Sequence, residues 1–485
     1  MSVSPVRRDI WGLSDDDVWH PIIEAYALGV GELQRRDPND PTGWRYQAAI
    51  HGLPPGQSGD AFRNQCQHFC WFFLPWHRLY LHYFERIVRA AIQTLPQVDD
   101  LTKEQWALPY WNYEGSDRTR SLPPAFRQPT LSDGSTPNPL FVTQRKPGRN
   151  DGDEIDATEV SSAEARLPTT FSLDAPAGGF GGAATGWNHT DQDFNSFPGP
   201  LERTPHGSVH VEVGGFMGRF ETAGLDPIFW LHHCNVDRLW EVWVREDQGH
   251  VNPPEGSAWY TLAFDFHDET GAPVQGSSGD TVDTPGLGYT YESTEPPPPT
   301  RRGRRRASMP SQPPEHPPEL VGATEQPTQL SGGRESVSFE VGRPTGPAAR
   351  RGAAKPARVY LAVEGIEGDT QPGITYSVYV NLPDDDDPDA DPETFYVGNL
   401  SFFGIERVGK VDSDRPGGHG LRHSFDITDI VEELDELDRW NPDEVKVTFS
   451  PVGQPTAGRR SRGAGAEAEA ETAPVKLGRV GLYIQ

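Results

Sequence analysis

Apolar residues in this chain are concentrated in two stretches, 69–92 and 225–243. In the first, FCWFFLPWHRLYLHYFERIVRAAI, they recur at three- and four-residue steps from Trp76 on, with Arg78, Glu85, Arg86 and Arg89 in the polar positions. That period predicts a helix after Pro75. In the second, LDPIFWLHHCNVDRLWEVWVRE, Asp226 is an N-cap candidate, Pro227 takes the first helical position, and no breaker follows for over a dozen residues. Residues 14–35 predict another helix, and HGSVHVEV a shorter one within 205–213, ended by Gly214-Gly215. Between 115 and 200 the chain is rich in Gly, Pro, Ser and Asp and reads as long loops over a helical core.

The pattern breaks near 292. Residues 292–357 hold four consecutive prolines at 296–299, RRGRRR at 301–306 and almost no aromatics. Such a stretch has too little apolar surface to fold alone and predicts a disordered or extended linker. Its basic cluster is either solvated charge or a protease-accessible site. From 358 the period becomes two, with strands expected at 358–366, 375–382, 394–403, 445–449 and 475–484. DDDDPDADP at 384–392 and a Gly/Ala/Glu-rich stretch at 457–472 interrupt them. The expected architecture is a mainly α domain over 1–291, a helix bundle with long loops, then a linker over 292–357 and a small all-β, sandwich-like domain over 358–485.

Composition narrows the function. The chain has 485 residues, with 43 Lys+Arg against 71 Asp+Glu, a net charge of −28. That balance disfavours nucleic acid and anionic membrane surfaces as partners. No apolar run approaches the ~18 residues of a membrane span. The start, MSVSPVRRDIWGLSDDD, lacks the apolar core of a secretory signal, and three cysteines cannot build a disulfide scaffold. A soluble protein in a cytoplasmic or otherwise non-classical location is the expectation.

Of 15 histidines, two separated groups have ligand-like spacing: His51, His68 and His77, then His206 and His210 followed by the pair His232-His233. Imidazoles at i and i+4 of a helix point the same way and can grip one metal. Two such triads facing each other make a binuclear site inside a bundle. Any one histidine alone reads as an ordinary core or surface residue, but burying several imidazoles without partners is costly. All-imidazole sites suit copper, zinc, iron or nickel, and two triads without a carboxylate favour paired copper over magnesium or calcium.

QHFCWFFLPWHRLYLHYFE, PHGSVHVEVGGFMGRF and AGLDPIFWLHHCNVDRLWEVW resemble the two copper signatures of the tyrosinase, catechol oxidase and hemocyanin superfamily, in a form closest to the plant-type polyphenol oxidases. SAWYTLAFDFHDETGAPVQ at 257–275 resembles the segment after the second copper motif, and Tyr289-Thr290-Tyr291 the Tyr-x-Tyr that closes the catalytic domain. VYLAVEGIEGD and VKLGRVGLYI resemble the family's C-terminal shielding domain.

The resemblance implies two copper ions. Copper A would be held by His51, His68 and His77, and copper B by His206, His210 and His233, with the neighbouring His232 pointing elsewhere along its helix. Cys66, two residues before His68, is either a buried free thiol or the partner in a thioether to the His68 ring; Cys70 and Cys234 read as core. Asp237 either accepts a hydrogen bond from a ligand imidazole or pairs with Arg238 or Arg78. Glu202 either matches a glutamate that holds a water near copper B or is a helix N-terminal acid favoured by the dipole. Gly207 stands where monophenol-hydroxylating members often carry Asn, and Phe220 either matches a bulky residue over copper A that restricts entry or is core packing.

The implied enzyme is a polyphenol oxidase using O2 as co-substrate to turn o-diphenols into o-quinones, with weak monophenol hydroxylation. Its partners would be small phenols. It would be made as a latent proenzyme, with an activating protease cutting the linker. A hemocyanin-like reversible oxygen carrier is the alternative; a structural zinc protein fits less well, since structural zinc is usually a closed four-ligand site with thiolates.

Overall fold

The computed structural model describes residues 5–14, 19–54, 56–168, 170–172, 178–184, 197–246, 249–297, 317–342, 358–383, 391–408, 420–452 and 472–485. Two compact units change over at about residue 298. The RRGRRR cluster, most of the 384–392 acidic run and nearly all of 457–472 lie outside the described residues.

The first unit is built on α1 (Pro21–Arg35), α2 (Trp44–His51), α3 (Phe73–Gln93), α7 (Ser208–Val213) and α8 (Ile228–Glu246). Shorter helices, α4 (Asp100–Gln105), α5 (Pro124–Arg127), α6 (Ala157–Val160) and α9 (Ala258–Thr261), punctuate the loops. Helix α3 begins before Pro75, not after it, because a proline in the first turn removes only an N–H that has no intrahelical acceptor. Asp226 caps α8, its Oδ1 accepting from the Ile228 N–H at 3.1 Å, and it also takes a buried two-pronged ion pair from Arg145 at 2.9 and 2.7 Å. Helices α1 and α3 approach closely at Gly29, where a Cβ would lie 3.0 Å from Ile92 and 3.1 Å from Val88. Between α3 and α8, the Phe84 ring stacks flat on Trp230. Strand β1 (Val6–Arg7) pairs in parallel with β4 (Thr290–Tyr291), tying the two ends of the unit together, and β2 (Ala263–His267) and β3 (Pro273–Ser277) form a hairpin.

The second unit contains two antiparallel sheets. One has the order β10 (Tyr396–Leu400), β9 (Tyr376–Val380), β12 (Glu444–Pro451), β7 (Glu335–Glu340). The other runs β11 (Leu421–Asp426), β8 (Val359–Glu367), β13 (Val475–Ile484), β5 (Glu319–Ala323), with β6 (Thr328–Leu330) also on β13. The sheets face each other closely, since a Cβ on Gly398 of β10 would meet the Phe425 ring of β11 at 2.9 Å. Three short helices, α10 (Pro392–Phe395), α11 (Ile405–Val408) and α12 (Thr428–Glu436), accompany the strands.

Strands β5, β6 and β7 fall inside 292–357, where an uninterrupted extended linker is expected from composition. They form because neighbouring strands supply their partners: Phe339 of β7 is buried opposite Val445, and Leu330 of β6 is buried opposite Val475. A segment poor in apolar residues can still add an edge strand to an existing sheet.

Candidate metal centre

His51 is the last residue of α2, His77 lies on α3, and His68 sits in the loop leading into α3. His206 lies on an irregular wide turn (Glu202–Gly207) that runs into α7, His210 lies on α7, and His232 and His233 lie on α8. All seven are buried. Ring nitrogens of His51, His68 and His77 converge within 4.8 Å of one another, and those of His206, His210, His232 and His233 do the same. The two groups adjoin: the His77 and His233 rings stack within 10° of parallel at 4.5 Å, and His68 and His206 are 5.5 Å apart.

Four of these rings are oriented in the same way. Nδ1 of His51 meets the Phe220 carbonyl at 2.9 Å, that of His77 the Phe73 carbonyl at 2.8 Å, that of His206 the Glu202 carbonyl at 2.9 Å, and that of His210 the Met217 carbonyl at 2.8 Å. A carbonyl oxygen only accepts, so each Nδ1 carries the proton and each Nε2 presents a lone pair. Backbone bonds of this kind are what hold ligating imidazoles at metal sites. For His51 the bond depends on Gly52, where a Cβ would come within 2.7 Å of the Phe220 oxygen.

Burial, reinforced by neighbouring imidazoles, pushes His68, His77, His210, His232 and His233 well below the usual histidine range, and burial takes His206 down to about 3. The rings are therefore neutral and able to ligate. The buried Nε2 of His77 and Nδ1 of His233 have no hydrogen-bond partner, and Nε2 of His210 and His233 face each other at 3.2 Å. Neutral imidazoles whose ring nitrogens converge fit a metal on each group.

The structure brings together more than expected. His232 does not point away: its ring is 5.6 Å from His206 and 5.0 Å from His210, against 5.0 and 5.4 Å for His233. Neighbours on a helix differ by ~100°, yet the two rings are only 5.2 Å apart and both reach His206 and His210. Phe220 packs edge-on to His68 at 4.3 Å and over His51 at 5.5 Å. Gly207 is buried in ordinary right-handed helical conformation (φ −62°, ψ −38°). Cys66, Cys70 and Cys234 are buried and outside any disulfide.

Glu202 is buried, and its Oε1 accepts the Phe69 N–H at 2.6 Å. Phe69, next to His68, has a left-handed backbone (φ 59°), a costly state for a bulky residue that this bond helps to hold. Burial raises the Glu202 carboxyl well above its usual range, the Phe69 N–H and Arg203 offsetting only part, and its buried Oε2 has no partner.

Asp237 does not serve an imidazole. Its carboxylate accepts from Arg78 Nε at 2.5 Å, Arg7 at 3.3 Å, Tyr289 at 2.7 Å and Tyr291 at 2.5 Å. Of the two expectations for this residue the ion pair with Arg78 is the one realised, because its side chain meets α3 and the two ends of the first unit. Phe73 and Phe229, which the motif reading passes over, are packed among the histidines. The signal was present as F-x-x-x-H at 73–77 and again at 229–233.

Residues 41–246 match the common central domain of tyrosinase, and 317–485 match a family described only as a domain of unknown function. The tyrosinase HcTyr1 of Hahella sp. is 34% identical over 92% of this chain and 95% of its own length. The (+)-larreatricin hydroxylase of Larrea tridentata is 28% identical over 90% of this chain and 74% of its own, and polyphenol oxidase A of Solanum lycopersicum 27% identical over 88% and 68%. Among solved structures, that of latent apple tyrosinase covers 100% of this chain and 97% of its own at a TM-score of 0.63 and 23% identity, and so shares the fold.

The larreatricin hydroxylase and the tomato oxidase are both named as chloroplastic, which overturns the expectation of a cytoplasmic location. Its premise was a missing apolar leader, but plastid-targeting segments are polar, Ser- and Arg-rich and amphipathic. No described helix is long and apolar enough to cross a membrane.

Members of this family use a binuclear copper centre with O2 as co-substrate, and both histidine groups here are able to bind metal. With a relative of one-third identity along nearly its whole length and the tyrosinase central domain matched over 41–246, the chain belongs to the tyrosinase family and is a copper-dependent oxidoreductase of phenols, of the catechol oxidase or tyrosinase type.

Proposed function

We propose that the chain is an o-diphenol oxidase with weak monophenol hydroxylation, holding copper A on His51, His68 and His77 and copper B on His206, His210 and His233. The observation that carries this reading is the common orientation of four rings, whose Nδ1–H groups are spent on backbone carbonyls so that Nε2 lone pairs face inward. When bound, the copper pair supplies the two-electron chemistry by which O2 oxidises a phenol.

The chain's own residues decide which phenol. Phe220, packed on His51 and His68, narrows the approach on that side. Burial raises the Glu202 carboxyl well above its usual range, and its buried Oε2 is the oxygen left to hold a water. A monophenol must lose its proton before hydroxylation, whereas an o-diphenol gives up electrons and protons with less help from a base. Gly207 has no side chain to orient Glu202 or its water, and this favours the diphenol. Hydrogen-bonded pinning fixes the rings before any metal arrives. A Cys66–His68 thioether would fix His68 further; peptide mass analysis would find the joined segment lighter by two hydrogens, and unmodified Cys66 would dismiss it.

Latency is part of the proposal and rests on the resemblance of 358–485 to a shielding domain. Copper stoichiometry tests the ligand set. His77→Ala and His233→Ala are each expected to retain one copper per chain, and His232→Ala both. Loss of a copper from His232→Ala with none lost from His233→Ala would reassign the ligand.

A further inference from the structure

The two helices that carry His77 and His233 each place a phenylalanine four residues earlier, Phe73 on α3 and Phe229 on α8. That spacing puts ring and imidazole on one helix face. Each ring then reaches the opposite histidine group. Phe73 is 4.6 Å from its own His77, and also 4.6 Å from His206 and 6.4 Å from His233. Phe229 is 4.3 Å from its own His233, and 5.1 Å from His51 across the site. Both are buried. A phenyl ring has two torsions, does not compress, and sits among close-packed neighbours. A ring wedged between two imidazole groups sets how near they come. Neither phenylalanine contributes a ligand atom, so ligation alone does not account for the repeated arrangement.

We infer that Phe73 and Phe229 are a matched pair of spacers, positioning residues that fix the separation of the two histidine groups and with it the separation of the two metals. This rests on the copper-pair reading above.

The test loads full-length protein with Cu(II) and measures copper per chain and the fraction of copper visible by electron paramagnetic resonance. Two closely coupled Cu(II) ions are silent, whereas ions at a changed separation give a signal. Wild type is expected to bind two coppers and be silent. Phe73→Ala and Phe229→Ala are expected to bind two and show a large visible fraction, with Phe73→Leu, which restores part of the volume, intermediate. Phe84→Ala is the control, since Phe84 on α3 packs on Trp230 of α8, in the same helix pair, and on Trp44 of α2. It is expected to destabilise the protein and stay silent. Silent alanine variants with two coppers, or a signal from Phe84→Ala as large as theirs, overturn the inference. Should the alanine variants fail to hold copper, Phe73→Leu and Phe229→Leu decide by the same criterion. Wild type binding fewer than two coppers would instead defeat the copper-pair reading, and the spacers with it.

Discussion

Arg78 Nε donates to Asp237 Oδ1 at 2.5 Å, joining α3 to α8 one residue from His77 and four from His233. The same carboxylate also takes Arg7, Tyr289 and Tyr291, while Arg7 turns back to Glu85 at 2.8 Å and Arg78 to Glu241 at 3.0 Å. The guanidinium of Arg78 lies over Trp240 at 3.9 Å and that of Arg7 over Tyr289 at 3.6 Å. Every charge in the cluster is buried and answered. Removing one partner leaves the others uncompensated.

Asp237→Asn is therefore expected to lower unfolding stability by about 3 kcal/mol, measured by denaturant titration of the metal-free protein. Burial alone would raise the Asp237 carboxyl, but Arg78, Arg7 and the Tyr291 hydroxyl overcome it and hold the group below its ordinary value of 3.8. A carboxyl depressed in the folded state stabilises above its unfolded pKa, and that contribution is lost as pH falls through the folded one. Wild type should thus lose stability more steeply than Asp237→Asn below about pH 4. Equal acid limbs would refute this.

Truncating Phe220 should open the approach to His51 and His68. Phe220→Ala is expected to raise kcat/KM for o-diphenols with bulky ring substituents about tenfold, the scale of removing a small steric block, and to leave copper content at two. Steady-state oxidation of a small and a bulky catechol compares the two directly. An equal change for both would show that Phe220 does not restrict entry.

Gly207 has helical torsions that any L-residue adopts. Gly207→Asn is expected to raise the ratio of monophenol to diphenol turnover by roughly five- to tenfold, the worth of about one oriented hydrogen bond. Initial rates on a matched monophenol and catechol measure the ratio. An unchanged ratio would remove Gly207 from the account.

Much of this site is legible in the chain because its signals are local. The 3.6-residue period marks α3 and α8, and i, i+4 spacing marks His206 and His210. What escapes is set by long-range packing. Asp237 fits a histidine or an arginine partner equally well until the fold brings Arg7 and Tyr291 to it from 230 and 54 residues away. His232 looks averted until the fold brings His206 and His210 as near to its ring as to that of His233. Strands β5 to β7 are three to six residues long and lie among prolines and glycines, so only their sheet partners define them. Helix α12 carries its apolar Ile430 and Leu434 within a run of acidic residues that masks the period.

Oxygen uptake by the copper-loaded protein, given a catechol before and after limited proteolysis at RRGRRR (301–306), tests the central claim most directly. Two coppers per chain, catechol-dependent uptake and a rise in rate on cleavage are expected. Bound copper with reversible O2 binding but no catechol turnover in either state would contradict it and leave an oxygen carrier.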